Sequence, residues 1–77
     1  MDWRERITVD PRILVGKPVV KGTRISVELV VSLLAAGWTH EQIVGNYPTL
    51  TAADVQACLA YASEVLQDER VFPLKTA

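Results

Sequence analysis

Three helix starts in succession, each marked by its own capping residue, constrain this chain more than any other feature of it. Ser26 precedes the apolar run Val27 to Ala36. Gly37 then stands where a left-handed residue commonly ends a helix. Thr39-His40-Glu41-Gln42 fits a capping box, in which hydroxyl and amide each satisfy the other residue's backbone N–H. That second helix is short, ending near Asn46 ahead of Tyr47-Pro48. Thr51-Ala52-Ala53-Asp54 opens a third, with Asp54 in the first turn, where the helix dipole favours an anion. The third helix is expected to reach about Asp68.

Ahead of Ser26 the chemistry is that of short strands. Ile7-Thr8-Val9 is a β-branched run stopped by the turn-forming pair Asp10-Pro11. Ile13-Leu14-Val15 ends at Gly16-Lys17-Pro18, and Val19-Val20 is followed by Lys21-Gly22 and Thr23-Arg24-Ile25. Apolar runs this short, punctuated by Gly and Pro, predict small hairpins that need helices or another chain to pack on. The expected fold is therefore α+β and mainly helical: a basic β arm over residues 1–25, a trihelical core over 26–69 and a tail over 70–77, all one domain.

The helix faces indicate what they pack against. In the third helix Val55, Cys58, Leu59, Ala62, Val65 and Leu66 form one apolar stripe, with Asp54 and Glu64 largely off it. The first helix is apolar nearly all round, only Glu28 and Ser32 being clearly polar. The chain has 77 residues, 49% of them hydrophobic. A domain of this size buries only ~60% of the surface its unfolded chain exposes. Self-association is the natural cover for the surplus. A homodimer is expected through Ile7 and Val9 of the arm and Val27, Val30, Val31 and Leu34 of the first helix.

Composition excludes several classes of chemistry. A single Cys58 cannot close an internal disulfide, and one Cys with one His lacks the spacing of a zinc site. The charged start, Met1-Asp2-Trp3-Arg4-Glu5-Arg6, lacks the apolar run of a signal peptide, and no stretch approaches the ~20 apolar residues of a membrane span. A soluble cytoplasmic protein is expected, with no cofactor or metal. Catalysis is not expected either. General acid–base work needs suitable groups placed together, and His40, the one imidazole, falls in an exposed first turn. Cys58 lies on the apolar stripe with no base nearby to lower its pKa. Glu64 and Asp68, the one carboxylate pair at helical spacing, read as solvated surface. Gly16-Lys17-Pro18 lacks the spacing of a phosphate loop.

Charge is unevenly spread. Six of the eight basic residues lie in the first 24 positions (Arg4, Arg6, Arg12, Lys17, Lys21, Arg24) against three acids, a balance of +3. From Ile25 to Glu69 there are six acids and no Lys or Arg, a balance of −6. A basic arm on an acidic body is compatible with nucleic-acid contact through the arm; ordinary solubilising charge is the alternative. The three helices match a helix-turn-helix outline, whose last helix would offer Thr51 and Gln56 to base edges. No Arg or Lys accompanies them, and Asp54 would be repelled by phosphate. If DNA is bound, Lys17, Lys21, Thr23 and Arg24 of the arm supply the affinity. Lys21-Gly22-Thr23-Arg24 is equally well read as a tight turn whose arginine pairs with an acid. In the tail, Val71, Phe72 and Leu74 are apolar around Pro73, and either fold over the domain's own core or extend into a partner's groove.

The stretches Ile7-Thr8-Val9-Asp10-Pro11, Gly16-Lys17-Pro18-Val19-Val20-Lys21-Gly22-Thr23-Arg24-Ile25, Gly37-Trp38-Thr39, Glu41-Gln42-Ile43 and Tyr47-Pro48-Thr49-Leu50-Thr51 closely resemble the family labelled domain of unknown function 433. So does the helix through Tyr61-Ala62. The likeness runs from Ile7 to about Leu66. The resemblance implies a small bacterial helix-turn-helix protein of the VapB antitoxin type, encoded beside a PIN-like ribonuclease toxin. Such a protein inhibits the nuclease by direct binding, with Val71, Phe72 and Leu74 the candidate toxin contacts, and represses the shared operon as a dimer. A stand-alone DNA-binding transcriptional regulator and a plain oligomerisation module are the alternatives.

Overall fold

A computed structural model describes residues 2–68 of the chain. The order of elements is a 3-10 turn at Trp3–Glu5, strand β1 (Ile7–Val9), a second 3-10 turn at Leu14–Gly16, strand β2 (Pro18–Val20), and helices α1 (Val27–Ala35), α2 (His40–Asn46) and α3 (Ala52–Asp68). The fold is a short antiparallel β hairpin followed by three helices, as expected. β1 and β2 pair with Ile7 opposite Val20, Thr8 opposite Val19 and Val9 opposite Pro18.

Each helix begins as its capping residues dictate. The Ser26 hydroxyl accepts from Leu29 N–H at 3.0 Å. Thr39 and Gln42 form the reciprocal capping box, at 3.0 and 2.8 Å. Thr51 and Asp54 form a second box: the Asp54 carboxylate accepts from Thr51 N–H at 2.9 Å and the Thr51 hydroxyl from Asp54 N–H at 3.2 Å. α1 ends in a Schellman motif, with Trp38 N–H donating to the Leu33 carbonyl and Gly37 N–H to that of Leu34, both at 3.0 Å. Gly37 takes the left-handed conformation this requires, at φ +99°.

The core draws on both halves of the chain. Ile7, Val19 and Val20 of the hairpin are buried along with Val27, Val30, Ile43, Leu50, Val55, Ala57 and Cys58. Ile7 and Val20 share one apolar cluster with the helices, and Trp3, Val31, Leu33, Leu34, Trp38 and Tyr61 pack around it. The arm is thus docked on the body. Its 3-10 turn lies against α3, where Trp3 meets Tyr61 edge to face with ring centroids 4.7 Å apart.

Three expectations are corrected. Ile13-Leu14-Val15 is not a strand: Leu14 and Val15 turn left-handed, at φ 50° and 56°, and join Gly16 in a 3-10 turn. Thr23-Arg24-Ile25 forms no strand either; it closes a loop, with one isolated bridge between Val19 and Ser26. The stripe on α3 is buried only at its start. Val55 and Cys58 are fully enclosed, whereas Val65 and Leu66 near the far end are exposed.

Candidate functional site

The arm's cations are not equivalent once the chain is folded. Arg6 forms an ion pair with Asp54 at 3.0 Å. Arg4 lies over the Trp3 ring and pairs with Asp2 and Glu64 at 3.3 and 3.1 Å. Arg12 pairs with Asp10 at 3.1 Å, and Lys17 with Glu28 at 2.8 Å. Lys21 and Arg24 are exposed and make no ion pair among the described residues. The expected alternative, Arg24 held by an acid, is not what the described residues show.

The loop that carries Lys21 and Arg24 is sharply defined. Val20 N–H donates to the Ile25 carbonyl at 3.0 Å, closing the loop at its base, and Thr23 N–H donates to the Val20 carbonyl at 3.0 Å. Gly22 takes φ +80°, which the third residue of a type II turn requires. Thr23 is occupied inside the turn: its hydroxyl donates to the Val20 carbonyl at 2.8 Å and accepts from Ile25 N–H at 3.0 Å. Thr23 therefore shapes the loop and has little hydrogen-bonding capacity left for a ligand. Lys21 N–H donates to the Arg6 carbonyl at 2.8 Å, so the loop is also pinned to the start of β1.

The remaining sequence candidates fall in different places. Thr51 is exposed, but its hydroxyl caps α3; Gln56 is exposed on the first turns of α3. Among the residues expected at a dimer interface, Ile7, Val27 and Val30 are buried in the chain's own core. Val31 and Leu34 are half-buried, and Val9 is exposed. Val71, Phe72 and Leu74 lie outside the described residues.

The fold also changes what the acidic residues do. Asp54 is only 7% exposed and, held by Arg6 and by the α3 cap, does not act as a bare repelling charge. Glu64 is not mere solvated surface: it accepts from the Trp3 indole N–H and from Arg4, and these donors, with the indole N–H leading, hold its carboxyl below the usual range. Glu28 is lowered likewise by the hydrogen bond from Lys17. Cys58 is enclosed, as its place on the stripe suggests. Burial, with the Asp54 charge adding to it, pushes its thiol up to about 12.

Between α2 and the start of α3 lies an open, largely apolar groove of about 310 Å³, lined by His40, Glu41, Val44, Gly45 and Ala52. Sequence reasoning misses this groove. The available signal is Gly45, an isolated glycine inside a helix, which often marks a packing or functional need. Among the described residues no helix is long and apolar enough to cross a membrane.

A β hairpin docked on three capped helices, with a pinned cationic loop at their junction, defines a small, mainly helical α+β domain. Residues 7–62 match the family described as protein of unknown function (DUF433), and the chain belongs to that family. An uncharacterized protein of Sinorhizobium fredii, y4eO, is 41% identical over 59 residues. That match takes in 77% of this chain but 27% of the relative, so the chain spans about a quarter of that protein's length. An uncharacterized protein of Archaeoglobus fulgidus is 62% identical over 24 residues, 31% of this chain and 67% of that protein. Among solved structures, a DUF433 member protein from Anabaena variabilis superposes with a TM-score of 0.76 at 29% identity, over 80% of this chain and 61% of that one.

Proposed function

We propose that this chain acts by binding rather than catalysis, as an antitoxin-like protein that inhibits a PIN-like ribonuclease and represses its own operon as a dimer. The observation that carries the DNA-binding part is the contrast among the arm's cations. Four are matched by carboxylates of the same chain, while Lys21 and Arg24 stand exposed and unmatched, among the described residues, on one pinned loop. An exposed Lys and Arg on a rigid turn suit phosphate contact, which fixes a protein on DNA without reading sequence. Gln56, exposed near the start of α3, is the candidate for a base edge. The nuclease-inhibiting part rests on what the resemblance of the Gly16–Ile25 stretch and its flanks to the DUF433 family implies, with Val71, Phe72 and Leu74 as the proposed toxin contacts.

The test has two arms. Co-expression with the adjacent reading frame, followed by purification through a tag on this chain, should yield a complex in which a nuclease is silent. Titration of the upstream DNA across a salt series should then show that Lys21→Ala with Arg24→Ala weakens binding. The double variant should also flatten the slope of log K against log salt by about 0.9 for each phosphate that is no longer neutralised. An unchanged slope removes the loop from the mechanism. A neighbour that is harmless when expressed alone removes the antitoxin reading and leaves a stand-alone regulator.

A further inference from the structure

We propose that copies of this chain associate head to tail, the Leu14–Val15 tip of one copy seating in the groove between α2 and α3 of the next. This contact uses none of the residues assigned to DNA or toxin, apart from Lys17 at its edge, and stands whether or not those readings hold.

The tip is an apolar knob held in a costly shape. Leu14, Val15 and Gly16 follow one another with φ of 50°, 56° and 82°. Left-handed backbone is routine for glycine and a true outlier for a β-branched residue such as valine. Strain of this kind persists where the surroundings fix it, and it clusters at functional sites. Here the fixing bonds are present. Ile13 N–H donates to the Asp10 carbonyl at 2.8 Å, Gly16 N–H to Ile13 at 3.0 Å and Lys17 N–H to Leu14 at 3.2 Å. Their effect is to hold Val15 outward at 95% exposure, with Leu14 exposed beside it. Among the described residues the Val15 side chain is covered by almost nothing.

The groove is a hole of matching chemistry. Apolar cavities of ~150 Å³ hold a benzene, so about 310 Å³ lined by Val44, Gly45 and Ala52 has room for two branched aliphatic side chains. A Cβ added at Gly45 would meet nothing within 4 Å, which leaves the floor of the groove open. The edges match by charge. Arg12 and Lys17 flank the tip, and Glu41 lines the groove beside His40, on a body that carries no Lys or Arg from Ile25 to Glu69. Both cations are exposed in the pairs they make at home, which are weak in water for that reason, so both side chains can turn toward Glu41 of a neighbour. One chain thus bears both halves of a heterologous contact, an arrangement that forms rings or open chains rather than a two-fold pair.

Two substitutions separate the halves without disturbing the fold. Val15→Gly removes the knob and relieves the backbone. Gly45→Leu fills the hole in open space. Sedimentation at low ionic strength, over a range of concentrations, should show the wild-type mass rising while each variant associates at least tenfold more weakly. Mixing the two variants should restore a heterodimer, since Val15→Gly brings an intact groove and Gly45→Leu an intact tip, and growth should stop at two. Glu41→Lys provides a third route to weakened association if either variant unfolds. A wild type that stays monomeric throughout, or variants that associate as it does, would overturn the proposal. So would a monomeric wild type whose tip is needed to capture the nuclease, which would assign the tip to that partner instead.

Discussion

The helical body and the β arm are held by opposite means. In the body each helix is started by residues at most three apart in the chain: Ser26 with Leu29, Thr39 with Gln42, Thr51 with Asp54. The arm has only two three-residue strands, too little sheet to stand alone. It is fixed by contacts across most of the chain, Arg6 to Asp54 and the Trp3–Arg4 pair to Glu64 and Tyr61. The body is specified locally and the arm globally, so damage to the two should look different.

The largest effect should come where the two regimes share one residue. Asp54 caps α3 and also holds Arg6, so Asp54→Ala removes a local and a long-range bond together. Loss of a cap costs about 0.5–2 kcal/mol. Breaking a buried ion pair costs about 3–5 kcal/mol, and less here because the Arg6 side chain is 41% exposed. A total near ~3 kcal/mol is expected in urea unfolding. Asp54→Asn, which retains an oxygen for Thr51 N–H but no charge for Arg6, should cost about 1 kcal/mol. Equal losses in the two variants would mean that the α3 cap contributes nothing and the ion pair everything, whereas an Asp54→Asn variant as stable as the wild type would mean that the arm is held by its apolar contacts alone.

A smaller and more pointed contrast lies within the arm, between its two left-handed turns. Gly22 has open space around its missing Cβ, so Gly22→Val tests backbone conformation alone. It should destabilise by about 1–2 kcal/mol, the ordinary penalty for a side chain in left-handed backbone. Val15 already bears that penalty. Val15→Gly should therefore stabilise the monomer, by about 0.5 kcal/mol once the larger unfolded-state entropy of glycine is subtracted. Opposite signs at the two sites, read from denaturant midpoints, would show that Val15 is retained for something other than folding. A loss of stability in Val15→Gly would show instead that the turn depends on its side chain.

What can be read in the residues follows the same division. The caps at Ser26, Thr39 and Thr51 and the stop at Gly37 involve near neighbours, so local chemistry announces them. The exposed Lys21 and Arg24 are legible because a Lys-Gly-Thr-Arg turn has nowhere to bury them. Asp54 misleads because Arg6, which neutralises it, lies 48 residues away and nothing local signals the pairing. Leu14-Val15 misleads because β-branched residues favour strands, and the hydrogen bonds that bend the turn outweigh that preference. The groove is not legible, since its walls come from two helices and only Gly45 hints at it.

The mildest way to part the two regimes is acid. Asp2, Asp10, Glu28 and Glu64 are all held below the usual carboxylate range. For Asp2 the main cause is the Arg4 backbone N–H, for Asp10 the Arg12 side chain, for Glu28 the Lys17 ammonium and for Glu64 the Trp3 indole. Each of these bonds is made by a residue of the arm, and two of the carboxylates sit on helices of the body. A carboxyl whose pKa is lower in the folded chain contributes stability that is complete above its unfolded value, about 4. That contribution is lost as pH falls through the folded value. Asp2, Glu28 and Glu64 are exposed and Asp10 half-buried, so the loss should loosen the arm's edge without unfolding the body. In a Trp38→Phe background, Trp3 fluorescence should shift as pH drops below about 4 while helical circular dichroism holds. Glu64→Gln should remove most of that shift, because the titrating partner of the indole is gone. If fluorescence and helicity instead fall together, the arm and body unfold as one unit, and the division between local and long-range fixation does not extend to how the molecule opens.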